Sequence, residues 1–199
     1  MNERSDAARN RLRVLDAAAR LFAAEGVDAV SMEEVARAAG VGKGTLYRRY
    51  ADKGELSAAL IDADARALQA EVLAGLPSAG PDASSRRRVE HLLDLLCSFM
   101  DRHASLVAVA RRRADGLETP GYQWMRQALR ASLRQAELAG ELREGADIEY
   151  LADALLAPLT PDIWRHQRLG LGMSAERLAD GLRTLVPWRE TEGLSREGI

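Results

Sequence analysis

The chain has 199 residues, of which 47% are apolar and 29% are charged, a balance that is typical of a folded protein and excludes an intrinsically disordered one. The formal net charge of −2 excludes binding of polyanions over the whole surface, so any contact with nucleic acid needs a local basic patch. The single cysteine, Cys97, excludes an internal disulfide framework and a zinc site built from several cysteines.

Helix-forming residues dominate the composition. Ala (35), Leu (29) and Arg (26) far outnumber Val, Ile and Thr, which together supply 19 residues. Because β-branched residues favour strands and the first three favour helices, the composition predicts an all-α fold. Arg outnumbers Lys 26 to 2, so a run of arginines is by itself weak evidence for a binding surface.

Glycines and capping residues divide the first 73 residues into four predicted helices. These helices cover residues 9–25, 31–40, 43–50 and 52–73. Ser31 and Glu34 have the spacing of a capping box, and Val30 and Val35 occupy the two positions of a hydrophobic staple. The capping-box spacing recurs at Asp52, where the long fourth helix begins.

The second half of the chain is also predicted to be helical. Beyond a loop over residues 75–85, apolar residues recur at helical spacing in segments 89–100, 125–136, 148–159 and 178–186. Pro161 follows Pro158 so closely that it should break or kink the third of these segments. We therefore expect three parts: a three-helix domain over residues 1–51, a larger helical domain over residues 52–188, and a polar, frayed tail over residues 189–199.

Residues 31–50 have the spacing of a helix-turn-helix. A first helix ends at Gly40, Val41 can plug the turn, and the next helix is predicted to point only Leu46 and Tyr50 inward. Residues 42–53 hold four basic groups and one acid, a local charge of +3. Exposed cations, a hydroxyl and an aromatic side chain suit phosphates and base edges. The competing interpretation is a solvated, arginine-rich surface helix.

The same segment resembles the tetracycline-repressor (TetR) family of bacterial transcriptional regulators. The resemblance is carried by LDAAARLFAAEG at residues 15–26, by SMEEVARAAGVGKGTLYRRY at residues 31–50, and by Lys53 and Leu56. It implies a two-fold dimer with an N-terminal DNA-binding domain and a C-terminal domain for effector binding and dimerisation. It also implies a DNA-binding set of Lys43 and Gly44 near base edges and of Thr45, Tyr47, Arg48, Arg49 and Lys53 mostly on phosphates.

One residue departs from the family pattern. The family usually has Ser or Thr at the position of Gly42, where the hydroxyl caps the recognition helix and touches a phosphate. Glycine still caps a helix at a cost of only a few tenths of a kcal/mol, but this phosphate contact is then lost or left to the backbone amide.

The resemblance implies a ligand-responsive regulator, a repressor that a small molecule releases from a palindromic operator on double-stranded DNA. The alternative is a helical ligand-binding or interaction module with a vestigial DNA-binding head, which only Gly42 supports. Enzyme motifs for metal, phosphate or nucleophilic chemistry are missing from the sequence, so we expect no enzyme, catalytic residue, cofactor or metal site. The histidines are expected to be ordinary helix residues, and Cys97 a buried, inert thiol.

Two arginine runs, at residues 86–88 and 111–113, could widen a DNA footprint, but solvated charge is the favoured interpretation because three consecutive residues cannot share one helix face.

Two further observations bear on where in the cell the protein is located. No apolar run approaches the ~20 residues that span a bilayer, and the first six residues lack the apolar core of a signal peptide. We therefore expect a cytoplasmic protein without a membrane partner.

The larger domain is expected to bind a small apolar effector and to form a homodimer. The effector pocket is predicted between the fourth helix and two later ones, at Leu96, Phe99, Met100, Trp124, Met125 and Leu129. The competing possibility is that these bulky side chains close the core completely. The dimer interface is predicted on the last two long helices, at Leu155, Leu159, Leu178 and Leu182, because such apolar stripes are not left exposed.

Overall fold

The structure is a computed structural model, which describes residues 3–111 and 119–190. Residues 112 and 113 of the second arginine run, and residues 191–199 of the predicted tail, lie outside these ranges. Within them the chain forms nine α-helices and confirms the all-α prediction. The helices are α1 Glu3–Glu25, α2 Met32–Ala39, α3 Lys43–Arg49, α4 Lys53–Leu73, α5 Ser85–Arg111, α6 Pro120–Leu138, α7 Ile148–Leu156, α8 Pro161–Arg165 and α9 Ala175–Leu185.

The N-terminal helices enclose their own hydrophobic core. Its buried residues come from α1, α2, α3 and the loops between them, and include Val14, Phe22, Val30, Val35 and Leu46. Two later helices also contribute, since Leu56 of α4 and Val109 of α5 are buried in the same cluster. The N-terminal core thus includes residues of both long helices that lead into the rest of the chain.

A second and larger core lies around the middle of α5. Leu92, Leu93 and Leu96 of that helix are completely buried against apolar residues of α6, α7 and α9. The segment that follows α9 returns to this core, where Trp188 and Leu142 form an isolated antiparallel bridge. Cys97 is buried in the core.

Helix α4 joins the two cores. Leu56 lies in the N-terminal core, whereas Ile61, Ala65 and Leu68 pack against the larger one. The first turns of α4 therefore pack with the helix-turn-helix, although the domain boundary predicted after residue 51 assigns them to the larger domain. That boundary stays a prediction.

The segment after α7 differs from the long helix expected over residues 148–159. Helix α7 ends at Leu156, a 3₁₀ turn follows over Ala157–Leu159, and Pro161 begins the new helix α8 at its first position. Proline suits that position because its missing N–H would have no intrahelical partner there. The expected break of this segment is confirmed, and α7 is only 9 residues long.

Within residues 3–111 and 119–190, none of the helices combines the length and the apolar character needed to cross a bilayer.

Candidate nucleic-acid interface and effector cavity

The start of α2 is held by the predicted capping box. The Ser31 backbone N–H donates to Glu34 Oε2 at 2.7 Å, and the Glu34 N–H donates to Ser31 Oγ at 3.2 Å. Val30 and Val35, the predicted staple, are both buried. Because both backbone donors are satisfied and the staple is packed, the direction of α2 is well determined.

The turn between α2 and α3 depends on a glycine and on an arginine from α1. Gly40 has φ 62°, a left-handed conformation that glycine adopts at little cost. The Arg13 guanidinium donates to the carbonyls of Ala39 and Gly40 at 2.6 and 2.9 Å, which neutralises the exposed end of α2. A Cβ on Gly40 would lie 2.5 Å from Arg13 Nη2, so a side chain there would displace the guanidinium, whereas the left-handed φ is what favours glycine at this turn.

Helix α3 presents most of its surface to solvent. Leu46 is only 1% exposed and, with the buried Tyr50, anchors the helix to the N-terminal core. The predicted base-edge and phosphate residues of α3 are all exposed: Lys43, Gly44, Thr45, Tyr47, Arg48 and Arg49. Gly42 caps the helix without a side-chain hydrogen bond. The arrangement therefore has the shape of a recognition helix, with one buried edge and one open basic face.

A carboxylate from α2 lies against this basic face. Glu33 Oε1 accepts a hydrogen bond from the Tyr47 hydroxyl at 3.2 Å and lies 3.7 Å from Lys43 Nζ. The pKa of Glu33 is lowered, first by a backbone hydrogen bond and then by Tyr47 and Lys43. Glu33 is a site residue that the sequence analysis missed, because nothing in the spacing of a single acid on α2 points to α3.

The other cations near α3 differ in the hydrogen bonds that they donate within the chain. Arg48 donates to Thr45 Oγ1 at 3.4 Å, and Arg49 donates to the Ala7 carbonyl, also at 3.4 Å. Lys53, in contrast, donates to the carbonyls of Val27 and Asp28 at 2.8 and 3.1 Å. Lys53 therefore ties the start of α4 to the loop after α1, a structural role that the sequence did not indicate.

The helix-turn-helix segment also matches a known family. The family model of bacterial regulatory proteins, tetR family, matches residues 14–60, which run from α1 into α4. This segment, 47 of the 199 residues, is therefore similar to the tetR family.

The curated relatives match only part of the chain. An HTH-type transcriptional regulator of Staphylococcus aureus (strain USA300) is 44% identical over 61 residues, which are 31% of this chain and 33% of that protein. The chain thus matches about a third of the length of this curated relative.

Solved structures extend the likeness to the whole fold. The structure of SmeT in complex with triclosan has a TM-score of 0.62 at 20% identity and covers 96% of this chain and 98% of its own. The fatty acid degradation regulator FadR from Bacillus halodurans has a TM-score of 0.61 at 14% identity, over 87% of this chain and 95% of its own. At these identities the likeness concerns the fold.

A cavity of about 480 Å³ lies between α4, α5 and α6 and reaches the segment after α7. Four predicted pocket residues line it, namely Phe99, Met100, Trp124 and Met125. The other two do not: Leu96 and Leu129 are fully buried in the core. The bulky side chains thus leave an open space, and the expectation for Leu96 and Leu129 is corrected because the larger core covers both side chains completely.

The walls of this cavity include residues that the sequence analysis did not name. Ile61, Ala65 and Leu68 of α4 line it, and their i, i+4, i+7 spacing was an available signal. Most of the lining is apolar, and the polar residues are Asp62, Gln69, Arg111, Thr119 and Tyr122. Burial raises the pKa of Tyr122, so its hydroxyl keeps its proton at neutral pH.

The predicted dimer residues belong to the interior of the chain itself. Leu155, Leu159, Leu178 and Leu182 are all buried in the larger core, and Leu159 also lines the cavity. Their assignment to a surface stripe is therefore corrected, because apolar periodicity reports burial without showing which neighbour provides it. The exposed residues on the same helices are different ones, including Tyr150 of α7 and Leu185 of α9.

The remaining candidates from the sequence are the arginine run at residues 86–88, Cys97 and a metal site. Arg86 stacks over the Trp188 ring at 5.3 Å, and Arg88 donates to the Gly75 carbonyl at 2.8 Å, so the first arginine run contacts the loop after α4 and the segment after α9. Burial raises the pKa of the Cys97 thiol to about 12. In residues 3–111 and 119–190, no cluster of three or more metal-ligating side chains is found.

Proposed function

We propose that this chain is a ligand-responsive, DNA-binding transcriptional regulator and not an enzyme. The observation that carries the proposal is the open basic face of α3, held on a capped α2 and a glycine turn within the segment that matches the TetR family. A helix so placed can enter the major groove while backbone-directed cations fix its register. The matched relative in S. aureus is itself an HTH-type transcriptional regulator.

The proposed DNA contacts follow the exposure of each side chain. Lys43 and Gly44 begin α3 and are assigned to base edges, whereas Thr45, Tyr47, Arg48 and Arg49 are assigned to phosphates. A Cβ on Gly44 would meet no atom within 4 Å, which leaves room for DNA to approach the helix backbone. Lys53 has two of its three N–H donors on carbonyls, so it can offer one to a phosphate.

The test is the salt dependence of binding to duplex DNA, measured by fluorescence anisotropy. Arg48→Ala combined with Arg49→Ala should weaken binding to every sequence and reduce the salt slope by about one to two units. The matched control is Arg66→Ala with Arg134→Ala, since these two exposed arginines lie on α4 and α6. An unchanged salt slope in the Arg48→Ala, Arg49→Ala variant would contradict the assignment of these two arginines to phosphates. Absence of DNA binding by the wild-type protein would favour a ligand-binding module with a vestigial head.

The proposed effector is a small, largely apolar molecule that binds in the 480 Å³ cavity. Aliphatic and aromatic side chains form most of its lining, and the few polar groups can orient one hydrophilic end of a ligand. The cavity lies against α4, which begins at the helix-turn-helix, so a ligand that displaces α4 changes the position of α3. One protein of similar fold, SmeT, was determined in complex with triclosan.

Ligand-induced thermal stabilisation tests this cavity. A hydrophobic compound at 100 times its Kd should add about 2.7 kcal/mol to the free energy of unfolding. Trp124→Ala should abolish much of this gain, because Trp124 lines the cavity. Trp188→Ala is the matched control, since it removes another half-buried tryptophan that lies outside the cavity lining. Equal stabilisation of both variants would contradict the site, and hits restricted to highly charged compounds would contradict the ligand class.

We also propose a homodimer that packs through the exposed faces of α7 and α9. Tyr150 and Leu185 are 73% and 54% exposed, and the open position of Gly181 allows a second helix to approach α9 closely. Leu185→Glu should place a charge in this interface and give monomers in sedimentation velocity. Leu169→Glu, at an apolar residue that is 79% exposed in the turn before α9, is the control. An intact dimer of Leu185→Glu would place the interface elsewhere.

A further inference from the structure

Glu33 places a negative charge among the side chains proposed for DNA contact. Lys43 and Tyr47 are four residues apart on α3, so they lie on the same side of that helix. Glu33 reaches both from the first turn of α2, at 3.7 Å from Lys43 Nζ and 3.2 Å from the Tyr47 hydroxyl. A phosphate that approaches this side of α3 therefore competes with a carboxylate for the same two donors.

At neutral pH the Glu33 carboxylate is ionised and the Tyr47 hydroxyl is protonated. The lowered pKa of Glu33 keeps its carboxylate ionised. Partial burial and the hydrogen bond to Glu33 raise the pKa of Tyr47, so its hydroxyl keeps its proton and donates. The Lys43 side chain is 69% exposed and the Glu33 side chain 40% exposed, which makes the ion pair accessible to DNA and weak enough to be broken.

Binding to unrelated DNA and binding to a specific site require different contacts from Lys43. Binding to unrelated sequences depends almost entirely on contacts between cations and phosphates. Binding to a specific site adds contacts to base edges, which a side chain can make only from a fixed position. An acid beside Lys43 opposes contacts between this lysine and the phosphates of unrelated DNA. Because the acid also holds the Lys43 side chain at the start of α3, it favours contacts to base edges at a specific site.

We propose that Glu33 is a specificity-determining residue of the DNA interface, which holds Lys43 in place for base reading and penalises the transfer of Lys43 to phosphates of unrelated DNA. The proposal rests on the proposed function, since it requires α3 to be the recognition helix. An acid on α2 then contributes to the discrimination between specific and unrelated DNA, whereas the resemblance to the TetR family implies contacts only from residues on α3 and α4.

The experiment compares two duplexes: one of random sequence, and one selected from a random pool by the wild-type protein. Glu33→Gln removes the charge but keeps an oxygen that can accept from Tyr47. The control is Asp16→Asn on α1, which removes an exposed acid that is paired with Arg20 outside the proposed interface. Affinities are measured by anisotropy over a range of salt concentrations, and circular dichroism verifies that both variants are folded.

Glu33→Gln should bind the random duplex about two- to fivefold more tightly, the range that corresponds to an exposed ion pair. Its salt slope should steepen by about 0.9, as one more phosphate contact implies. Its gain on the selected duplex should be smaller, so the specificity ratio falls. Adding Lys43→Met should remove the extra random-duplex affinity, because the released lysine provides it. Asp16→Asn should change neither ratio nor slope.

Two results would overturn the inference while leaving the proposed function intact. Equal gains on both duplexes would mean that the Glu33 charge acts without discrimination, and unchanged affinities would mean that the ion pair plays no part in binding. Failure of the wild-type protein to bind either duplex would instead overturn the proposed function itself, so the two failures are distinguishable.

Discussion

Gly42→Ser should restore a side-chain cap on the recognition helix and raise both stability and DNA affinity. Gly42 has φ −67° and ψ 144°, which any residue can adopt at the start of a helix. A Cβ there would meet only Thr45 Oγ1, at an ordinary contact distance of 3.9 Å. The new hydroxyl would lie at the cap position, from which it can accept a hydrogen bond from the Thr45 N–H.

The expected gain in stability has two sources. Serine caps a helix better than glycine by a few tenths of a kcal/mol. Replacing glycine where the backbone is not strained adds about 0.4–1 kcal/mol, because it restricts the unfolded chain. The sum is about 1 kcal/mol, which for a chain of this length raises Tm by roughly 2–4 °C.

The gain in affinity comes from a hydroxyl at the edge of the DNA-facing surface. A hydrogen bond to a charged group contributes about 1.5–3 kcal/mol, so the serine should tighten binding about tenfold, at 1.4 kcal/mol per factor of ten. The assay is differential scanning calorimetry for Tm and anisotropy for affinity on a selected duplex. Gly42→Ala is the control, since it restricts the unfolded chain without providing a cap or a phosphate donor. A serine variant that binds no better than the alanine variant would refute the role assigned to this position.

Three further predictions concern local structure. Gly44→Ala should stabilise α3 by about 1 kcal/mol in thermal unfolding yet weaken DNA binding, because its methyl group enters open space on the DNA-facing side. The hydrogen bond from His103 lowers the pKa of Asp64 below its ordinary 3.8; its folded-state pKa is depressed, so its stabilisation is present at neutral pH and is lost as pH falls below about 4. Denaturant unfolding of Asp64→Asn should therefore lose less stability on acidification than the wild type. Cys97, with its raised pKa, should react with a thiol reagent at pH 8 only after unfolding, and fast labelling of the folded protein would contradict its burial.

The helix-turn-helix was predictable because its signals are local. The capping box at Ser31, the stop at Gly40 and the anchoring side chain Leu46 each depend on residues close in sequence. Helix α4 was likewise predicted to span the residues it does, because its cap at Asp52 is local. The role of Lys53 was not, since its carbonyl partners lie 25 and 26 residues away in the chain.

The second half of the chain shows where periodicity is insufficient. The stripe that includes Leu155 and Leu182 was correctly identified as apolar, but both residues are buried in the core of the chain itself. A pattern of apolar residues shows that a face is buried but does not identify the surface that covers it. For the same reason Phe99 was predicted at the cavity together with Leu96, although only Phe99 lines it.

The central claim is that α3 recognises a DNA sequence, and selection of duplexes from a random pool tests it most directly. A symmetric dimer that places two copies of α3 in successive major grooves should enrich a palindrome with half-site centres about 10 base pairs apart. The double variant Arg48→Ala, Arg49→Ala should enrich it far less, while Arg66→Ala, Arg134→Ala should behave as the wild type does. A wild-type pool that remains as random as its input, at a salt concentration where the protein is folded, would contradict the account.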